Sequence, residues 1–228
     1  MTETIKISKN NPEITLIKKA AAILKRGGVI AFPTDTVYGL GANALNKKAV
    51  LRIYQIKKRD KNKPLIILLG RKKDAEKYAY LTAIDKRLTA KFWPGPLTLV
   101  LKAKKSIPDY LTKKWTIGLR MPRNKIIIAL TRTCEFPLAT TSANLSGKAS
   151  ATSAQEVAEK LGFPGDLSHI ALAKREALAK TGDKIDLIID GGETKSNIAS
   201  TVLDTISKIP KIIRQGKITL NEIDKAIS

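Results

Sequence analysis

Guanidinium forks and short hydroxyl side chains recur in this chain at the points where apolar, strand-like runs end. Thr34, Asp35 and Thr36 follow VIAFP; Arg120 closes TIGLR; Thr140, Thr141, Ser142 and Asn144 follow PLA; Ser200 and Thr201 open STVLD; Arg214 closes KIIR. A planar guanidinium suits a carboxylate or a phosphate, and one that starts from an apolar strand needs an anionic or carbonyl partner once it is buried. Hydroxyls and backbone amides replace the water that a polar ligand sheds. Lys57 and Arg59, two positions apart at the end of a helical run, put two cations toward one anion if the helix frays there. So many polar strand ends imply one cavity beyond the sheet, where loops meet on a rigid frame. The competing reading of LATTSANLSGKAS (138–150) is an ordinary turn, because Ser, Thr, Asn and Gly are what turns use.

Other chemistry is poorly supplied. Cys134 and His169 are the chain's single cysteine and single histidine, so neither an internal disulfide nor a Cys/His zinc site can form. Cys134 follows IIIALTRT and reads as a buried structural thiol; His169 has no acid or nucleophile beside it. Gly147-Lys148 fails as a phosphate loop, since Ser142 stands where its first glycine belongs and Ala149 where Ser or Thr is needed. Gly39, Gly41 and Ala44 match G-x-G-x-x-A, but the first glycine lies too far beyond the VIAFP strand for a dinucleotide fingerprint.

The elements that must position these groups follow from periodicity. Asn11-Pro12-Glu13 opens a helix carrying Ile14, Ile17, Ala21 and Leu24, and Gly27-Gly28 ends it. VIAFP (29–33) is a strand and TDTVYGLGAN (34–43) a loop. NKKAVLRIYQIKKR (46–59) is a helix. Strands are predicted at LIILLG, LTLVLKA, TIGLRMP, PLATTSA, DLIIDGG, STVLDT and KIIRQGK, which makes about eight in all. Helical spacing covers most of 71–92, NKIIIALTRT and the closing LNEIDKAI. TSAQEVAEKLG is a helix capped by Thr152, with Gln155 in the capping-box position; 163–184 is the least defined stretch. The 228 residues, 43% of them hydrophobic, suit one α/β domain around a mixed sheet, with no linker in view. No apolar run approaches the roughly 18–20 residues of a membrane span, and the first residues lack a signal-peptide core, so a cytoplasmic protein is expected. The charge is +22, from 42 Lys/Arg against 20 Asp/Glu. Such a field favours anionic ligands, although the cations are spread along the chain without a basic tail.

Several segments together resemble the YrdC/Sua5 family. GGVIAFPTDTVYGLGANA, YQIKKRDKNKPLIILL, FWPGPLTLVL, TIGLRMP, PLATTSANLSG, and IASTVLD followed by IIRQGK occur in the order in which that family carries them, over about residues 12–217. The resemblance implies a twisted mixed sheet forming a partly open barrel with a large basic concave cavity, as one domain over 1–228 without the C-terminal extension of the longer Sua5 form. It implies synthesis of L-threonylcarbamoyladenylate and pyrophosphate from L-threonine, bicarbonate or CO2, and ATP, for t6A37 modification of tRNAs reading ANN codons. The family's K-x-R and S-x-N pairs fall on Lys57, Arg59, Ser142 and Asn144, the implied catalytic set. Thr34, Arg120, Thr140 and Ser200 would contact L-threonine. Lys57, Arg59, Ser142, Asn144, Ser150 and Arg214 would hold ATP. Mg2+ is expected with the ATP, without a dedicated protein site, and the machinery that transfers t6A is the expected acceptor of the adenylate. Asp60 stands where the family usually has Pro, and Ala199 replaces a common Pro. Two alternatives remain: a non-catalytic factor binding double-stranded RNA or tRNA, or serving ribosome assembly; and a carbamoyl-transfer relative, whose zinc-finger module the single cysteine forbids.

Overall fold

The computed structural model describes residues 2–161, 184–194, 196–207 and 209–227. Its frame is a single mixed sheet of 11 strands. In chain order these are β1 (Glu3–Lys6), β2 (Val29–Phe32), β3 (Gly39–Asn43), β4 (Ile66–Leu68), β5 (Ala79–Tyr80), β6 (Leu97–Ala103), β7 (Thr116–Arg120), β8 (Leu138–Ser142), β9 (Leu187–Asp190), β10 (Thr201–Asp204) and β11 (Lys211–Arg214). Their spatial order is β1-β9-β2-β3-β8-β4-β7-β6-β10-β11, with β5 beside β6. β1 and β11 stand at opposite ends of that order, so the sheet is open. The pairs β1/β9, β2/β9, β4/β7 and β6/β10 are parallel and the others antiparallel. The helices are α1 (Ile14–Lys25), α2 (Lys47–Lys57), α3 (Ala75–Tyr78), α4 (Ala83–Phe92), α5 (Lys125–Thr133), α6 (Ala154–Lys160) and α7 (Leu220–Ile227). None of the described helices is long and apolar enough to cross a membrane.

Most predicted elements form where apolar residues recur on one face. α1 buries Ile17, Ala20, Ala21 and Leu24, and the positive φ of Gly27 ends it. Asn46 and Asn124 cap α2 and α5 by accepting backbone N–H bonds. Cys134 is buried, and burial pushes its thiol up to about 12, in keeping with a structural role. His169 and nearly all of 163–184 lie outside the described residues.

Four expectations change. Gly39–Asn43, read as loop, is β3, bonded to β2 on one side and β8 on the other. Glycines weaken a strand unless something covers them. Here the Phe32 ring lies across both Gly39 and Gly41, where a Cβ would come within 2.7 and 2.8 Å of it. The G-x-G pair is therefore sheet packing and no nucleotide turn. Secondly, the cap of α6 is Ser153, not Thr152: Ser153 accepts from the Glu156 N–H. Glu156 in turn accepts from both the backbone and the hydroxyl of Thr152, because an ionised carboxylate is a stronger acceptor than the Gln155 amide. Thirdly, the sheet also gains β1 and β5, which are too short, and in β1 too polar, to show an apolar run. Finally, Ile14 is exposed, because it lies at the open first turn of α1.

Candidate active site

Alternate residues of neighbouring strands share one face of a sheet. On β7 the outer set is Ile117 and Leu119, which enter the larger apolar core. The inner set is Thr116, Gly118 and Arg120, and all three line a cavity of about 330 Å³. Ile66 and Leu68 of β4, Thr140 and Ser142 of β8, and Val202 of β10 line it by the same alternation. Thr34, Thr36, Tyr38, Arg59, Thr141, Ser200 and Arg214 add polar groups to its wall. The site thus lies across the concave face of the sheet. It was expected beyond the strand ends, but T-x-G-x-R, T-x-S and S-x-V place the lining along the strands instead. Gly118 keeps this floor low: a Cβ there would meet the Ile66 side chain at 2.7 Å.

Arg120 rises from this floor with its side chain only 6% exposed. Its Nε donates to the Gly95 carbonyl at 3.2 Å, Nη1 to Thr36 Oγ1 at 3.1 Å, and Nη2 to Asp35 Oδ1 at 2.6 Å. Three of its five N–H groups are engaged, so two remain for the cavity. The Asp35 side chain is also nearly buried, at 12% exposed. At the rim, Arg214 donates through Nε and Nη2 to the Ser200 carbonyl, at 3.1 and 2.9 Å, and through Nη2 to Ser200 Oγ. Ser200 Oγ also pairs with Thr98 Oγ1 at 2.8 Å. Arg59 donates to the Lys63 and Pro64 carbonyls. Asp60, next to it, forms no ion pair among the described residues. Its carboxylate accepts from the Asn62 N–H at 2.8 Å and shapes the turn that carries those carbonyls.

The K-x-R spacing separates its two cations. α2 ends at Lys57, and Lys58 takes the left-handed conformation at φ 48°. That reversal sends Arg59 into the cavity and leaves Lys57 on the buried stripe of the helix beside Ile53 and Tyr54. Lys57 is 1% exposed. Its ammonium donates to the carbonyls of Ser142 and Asn144 and, at 3.3 Å, to Asn144 Oδ1. The Asn144 amide donates onward to the Leu145 and Lys148 carbonyls at 2.8 and 2.7 Å. Lys57 and Asn144 therefore stand behind the wall and lock the loop that follows β8, while Ser142 faces the cavity. Ser150, beyond that loop, is not in the lining. Both readings of 138–150 hold: β8 is wall, and the segment after it is a pinned turn.

Asp35 offsets the charge of Arg120 from behind, while Arg59 and Arg214 form no ion pair among the described residues. Burial is the main cause that lowers the proton affinity of Arg59, Arg120, Arg214 and Lys57. Repulsion from Arg59 adds to it for Arg214 and Lys57. At Arg120 the Asp35 carboxylate opposes the shift and Arg214 adds to it. Lys57 falls to about 7. No acid lines the cavity, so an anion placed among the three arginines relieves their repulsion.

A family model described as Telomere recombination (Sua5_yciO_yrdC) matches residues 22–167 and 164–216. The chain belongs to the Sua5/YciO/YrdC family. Among curated Sua5/YciO/YrdC relatives, the threonylcarbamoyl-AMP synthase of Pyrococcus abyssi is 42% identical over 213 residues, which cover 92% of this chain and 57% of that protein. A putative threonylcarbamoyl-AMP synthase of Methanocaldococcus jannaschii is 39% identical over 96% of this chain and 95% of its own length. The chain spans less than two thirds of the Pyrococcus relative. A crystal structure of P. abyssi Sua5 complexed with L-threonine superposes with a TM-score of 0.85 at 39% identity, covering 99% of this chain and 61% of that one. Escherichia coli YciO gives 0.79 at 28% identity, with 98% of this chain and all of that chain covered. Both share the mixed, unclosed α/β sheet.

The family motifs in this chain are thus split by the fold: Arg59, Ser142, Thr34, Arg120, Thr140, Ser200 and Arg214 meet at one cavity, and Lys57 and Asn144 support it from behind. Thr36 and Asp35, which grip Arg120, and Thr98, which grips Ser200, had no assigned role in the sequence reading. Asp35 and Thr36 were visible only as part of the polar cluster after VIAFP, and Thr98 only as a hydroxyl inside the apolar LTLVL.

Proposed function

We propose that this protein is a threonylcarbamoyl-AMP synthase, forming L-threonylcarbamoyladenylate and pyrophosphate from L-threonine, bicarbonate or CO2, and ATP. The observation that carries the proposal is the acid-free cavity with three arginines and a hydroxyl-rich wall. It occurs in a chain whose relatives bear that name and whose structural neighbour binds L-threonine. The amine of threonine adds to CO2 and loses a proton, giving a carbamate. A carbamate oxygen then attacks the α-phosphorus of ATP, the bond to the β-phosphate oxygen breaks, and pyrophosphate leaves. No protein nucleophile takes part. The chain's contribution is to gather short-lived partners in one orientation and to spread the phosphate charge over fixed cations.

In this reading Arg120 takes the threonine carboxylate with its two remaining N–H groups. Thr140 and Ser200 form the wall beside it. Arg59 and Arg214 face the phosphates, and Ser142 presents its hydroxyl between them. Lys57 and Asn144 keep the Ser142 loop in place; Ser150 is outside the lining and has no assigned contact. Thr34 contributes shape, since its hydroxyl already donates to the Val37 carbonyl. The donor set does not fit a protein-held Mg2+. Among the described residues no three His, Cys, Asp or Glu side chains gather, and Asp35 is bound to Arg120. Mg2+ enters only as the counter-ion that ATP brings. The adenylate would pass to the machinery that installs t6A37 on tRNA. Double-stranded RNA needs cations laid out along an exposed path, whereas these arginines converge inside a hollow.

The test is mass spectrometry of the nucleotide formed from ATP, bicarbonate and L-threonine, with pyrophosphate measured in parallel. A threonine-dependent adenylate is expected. Absence of that product, or pyrophosphate release indifferent to threonine, overturns the reading.

A further inference from the structure

Beneath Arg120 the hydroxyl hydrogens can be ordered without ambiguity. Thr34 Oγ1 lies 2.7 Å from the Val37 carbonyl, which can only accept, so Thr34 spends its one hydrogen there. Thr36 Oγ1 lies 3.0 Å from Thr34 Oγ1, and the hydrogen of that bond must therefore come from Thr36. Arg120 Nη1 donates to Thr36 Oγ1 at 3.1 Å. The chain runs one way, from Arg120 through Thr36 and Thr34 to the Val37 carbonyl. The Thr36 backbone N–H also donates to Thr34 Oγ1 at 3.1 Å, so that oxygen gives one hydrogen and accepts two. Thr36 itself is fully buried and, among the described residues, is the one neutral side chain that holds the guanidinium. Asp35 grips one end of the fork. The Gly95 carbonyl holds Nε, and Thr36 is the acceptor that fixes the remaining terminal nitrogen.

We propose that Thr36 is a positioning residue for the carboxylate of the amino-acid substrate. Its hydroxyl, both accepting from Arg120 and donating to Thr34, completes with Gly95 and Asp35 the set of acceptors that fixes the plane in which Arg120 presents its two remaining N–H groups to the cavity. The proposal rests on the reading of this cavity as an L-threonine site. It gives Thr36 a role in amino-acid binding and none at the phosphates, where Arg59 and Arg214 stand.

Thr36→Val keeps the shape of the side chain and removes both hydrogen bonds; Thr36→Ser keeps the hydroxyl. Steady-state adenylate formation by the full chain, with L-threonine and ATP varied separately, reads the difference. The valine variant is expected to raise the KM for L-threonine roughly tenfold or more, the loss anticipated for a buried bond to a charged group. The KM for ATP should stay within about twofold, and serine should restore most of the loss. Should Thr36→Val not fold, Thr36→Cys, whose thiol is a weak acceptor, carries the same comparison and is expected to raise the threonine KM alone. An unchanged threonine KM in the variant that folds overturns the proposal. So does an equal rise for both substrates, or a serine variant as impaired as valine. Wild-type protein that forms no adenylate removes the reading of the site and this proposal with it. An active wild type with an indifferent position 36 removes only the proposal.

Discussion

Two cavities meet at Thr34. The concave one, about 330 Å³, is lined by Arg59, Arg120 and Arg214 and by no acid. The other, about 850 Å³, opens between Pro33, Pro96 and the start of α5, and carries Lys9, Arg123, Lys125 and Lys217 together with Asp35 and Glu193. By size and number of cations the second should be the better anion site. However, its four cations against two acids repeat the balance of the whole chain, 42 against 20, and Lys9, Lys125 and Lys217 are exposed. Screened, mixed charge of that kind binds weakly. The smaller cavity presents one sign only, with Arg120 buried on its floor, Arg59 half-buried and Arg214 exposed at the rim. What separates them is the absence of any acid from the lining of the smaller cavity and the burial of Arg120 on its floor, not the count of lysines.

The largest effect should come from Arg120, which lines the smaller cavity and pairs with Asp35 of the larger one. Arg120→Met is expected to lower adenylate formation by at least about a hundredfold and also to destabilise the fold. The stability loss is about 3–5 kcal/mol, since the nearly buried Asp35 is left unpaired. Adding Asp35→Asn should recover the melting temperature without recovering turnover. Wild-type turnover in Arg120→Met would break the contrast between the cavities outright.

Next comes the support behind the wall. Lys57→Met removes the donor that pins two carbonyls of the Ser142–Asn144 loop, and should cost about 1–3 kcal/mol together with most of the activity. Burial, with Arg59 second, lowers the Lys57 pKa from 10.5 to about 7. Between those values the unfolded chain binds more protons than the folded one, so stability rises with pH across that window, by at most about 1.4 kcal/mol per unit. Below about pH 7 the full cost of the buried charge remains. Melting curves of both proteins at pH 6.5 and about 9.5 should show a gain in the wild type that the methionine variant lacks. Parallel pH profiles would remove the buried-charge account of Lys57.

A smaller effect is expected at the rim. Pyrophosphate at a hundredfold its Kd should stabilise the wild-type chain by about 2.7 kcal/mol, and Arg214→Gln should reduce that rise in melting temperature by at least half. An undiminished shift would place the phosphate elsewhere. The smallest effect belongs to the second cavity. Lys9→Gln and Lys217→Gln should leave turnover and the pyrophosphate shift within about twofold of wild type, as exposed charges do. A tenfold loss in either would erase the distinction drawn between the two hollows.

Much of this was legible in the residues. Apolar runs marked eight of the strands, and helical spacing marked α1, α2, α4, α5, α6 and α7, because each buries one stripe or face whose period the chain must carry. β3 was hidden, since glycines in a strand look like loop until the Phe32 ring that covers them is seen. β1 was hidden because its pairing with β9 joins residues far apart in the chain. At the site, residue types announced an anion, but they gave Lys57 and Arg59 the same task. The left-handed Lys58 divides them, and only a completed helix end shows that.

Local chemistry by itself therefore determined which groups this protein can use: guanidinium forks, short hydroxyls, no zinc ligands, no nucleophilic thiol. It also determined most of the elements, for periodicity is a property of neighbours in the chain. Which of those groups face the ligand was decided only by the tertiary structure. Register and strand order pair Gly39 with Ser142, Ile66 with Gly118 and Thr201 with Leu97. That brings Arg120 to Asp35 and Thr36, 85 and 84 positions away in the chain, and Ser200 to Thr98, 102 positions away. Long-range pairing is set by how faces bury against one another, and no window of adjacent residues contains that information.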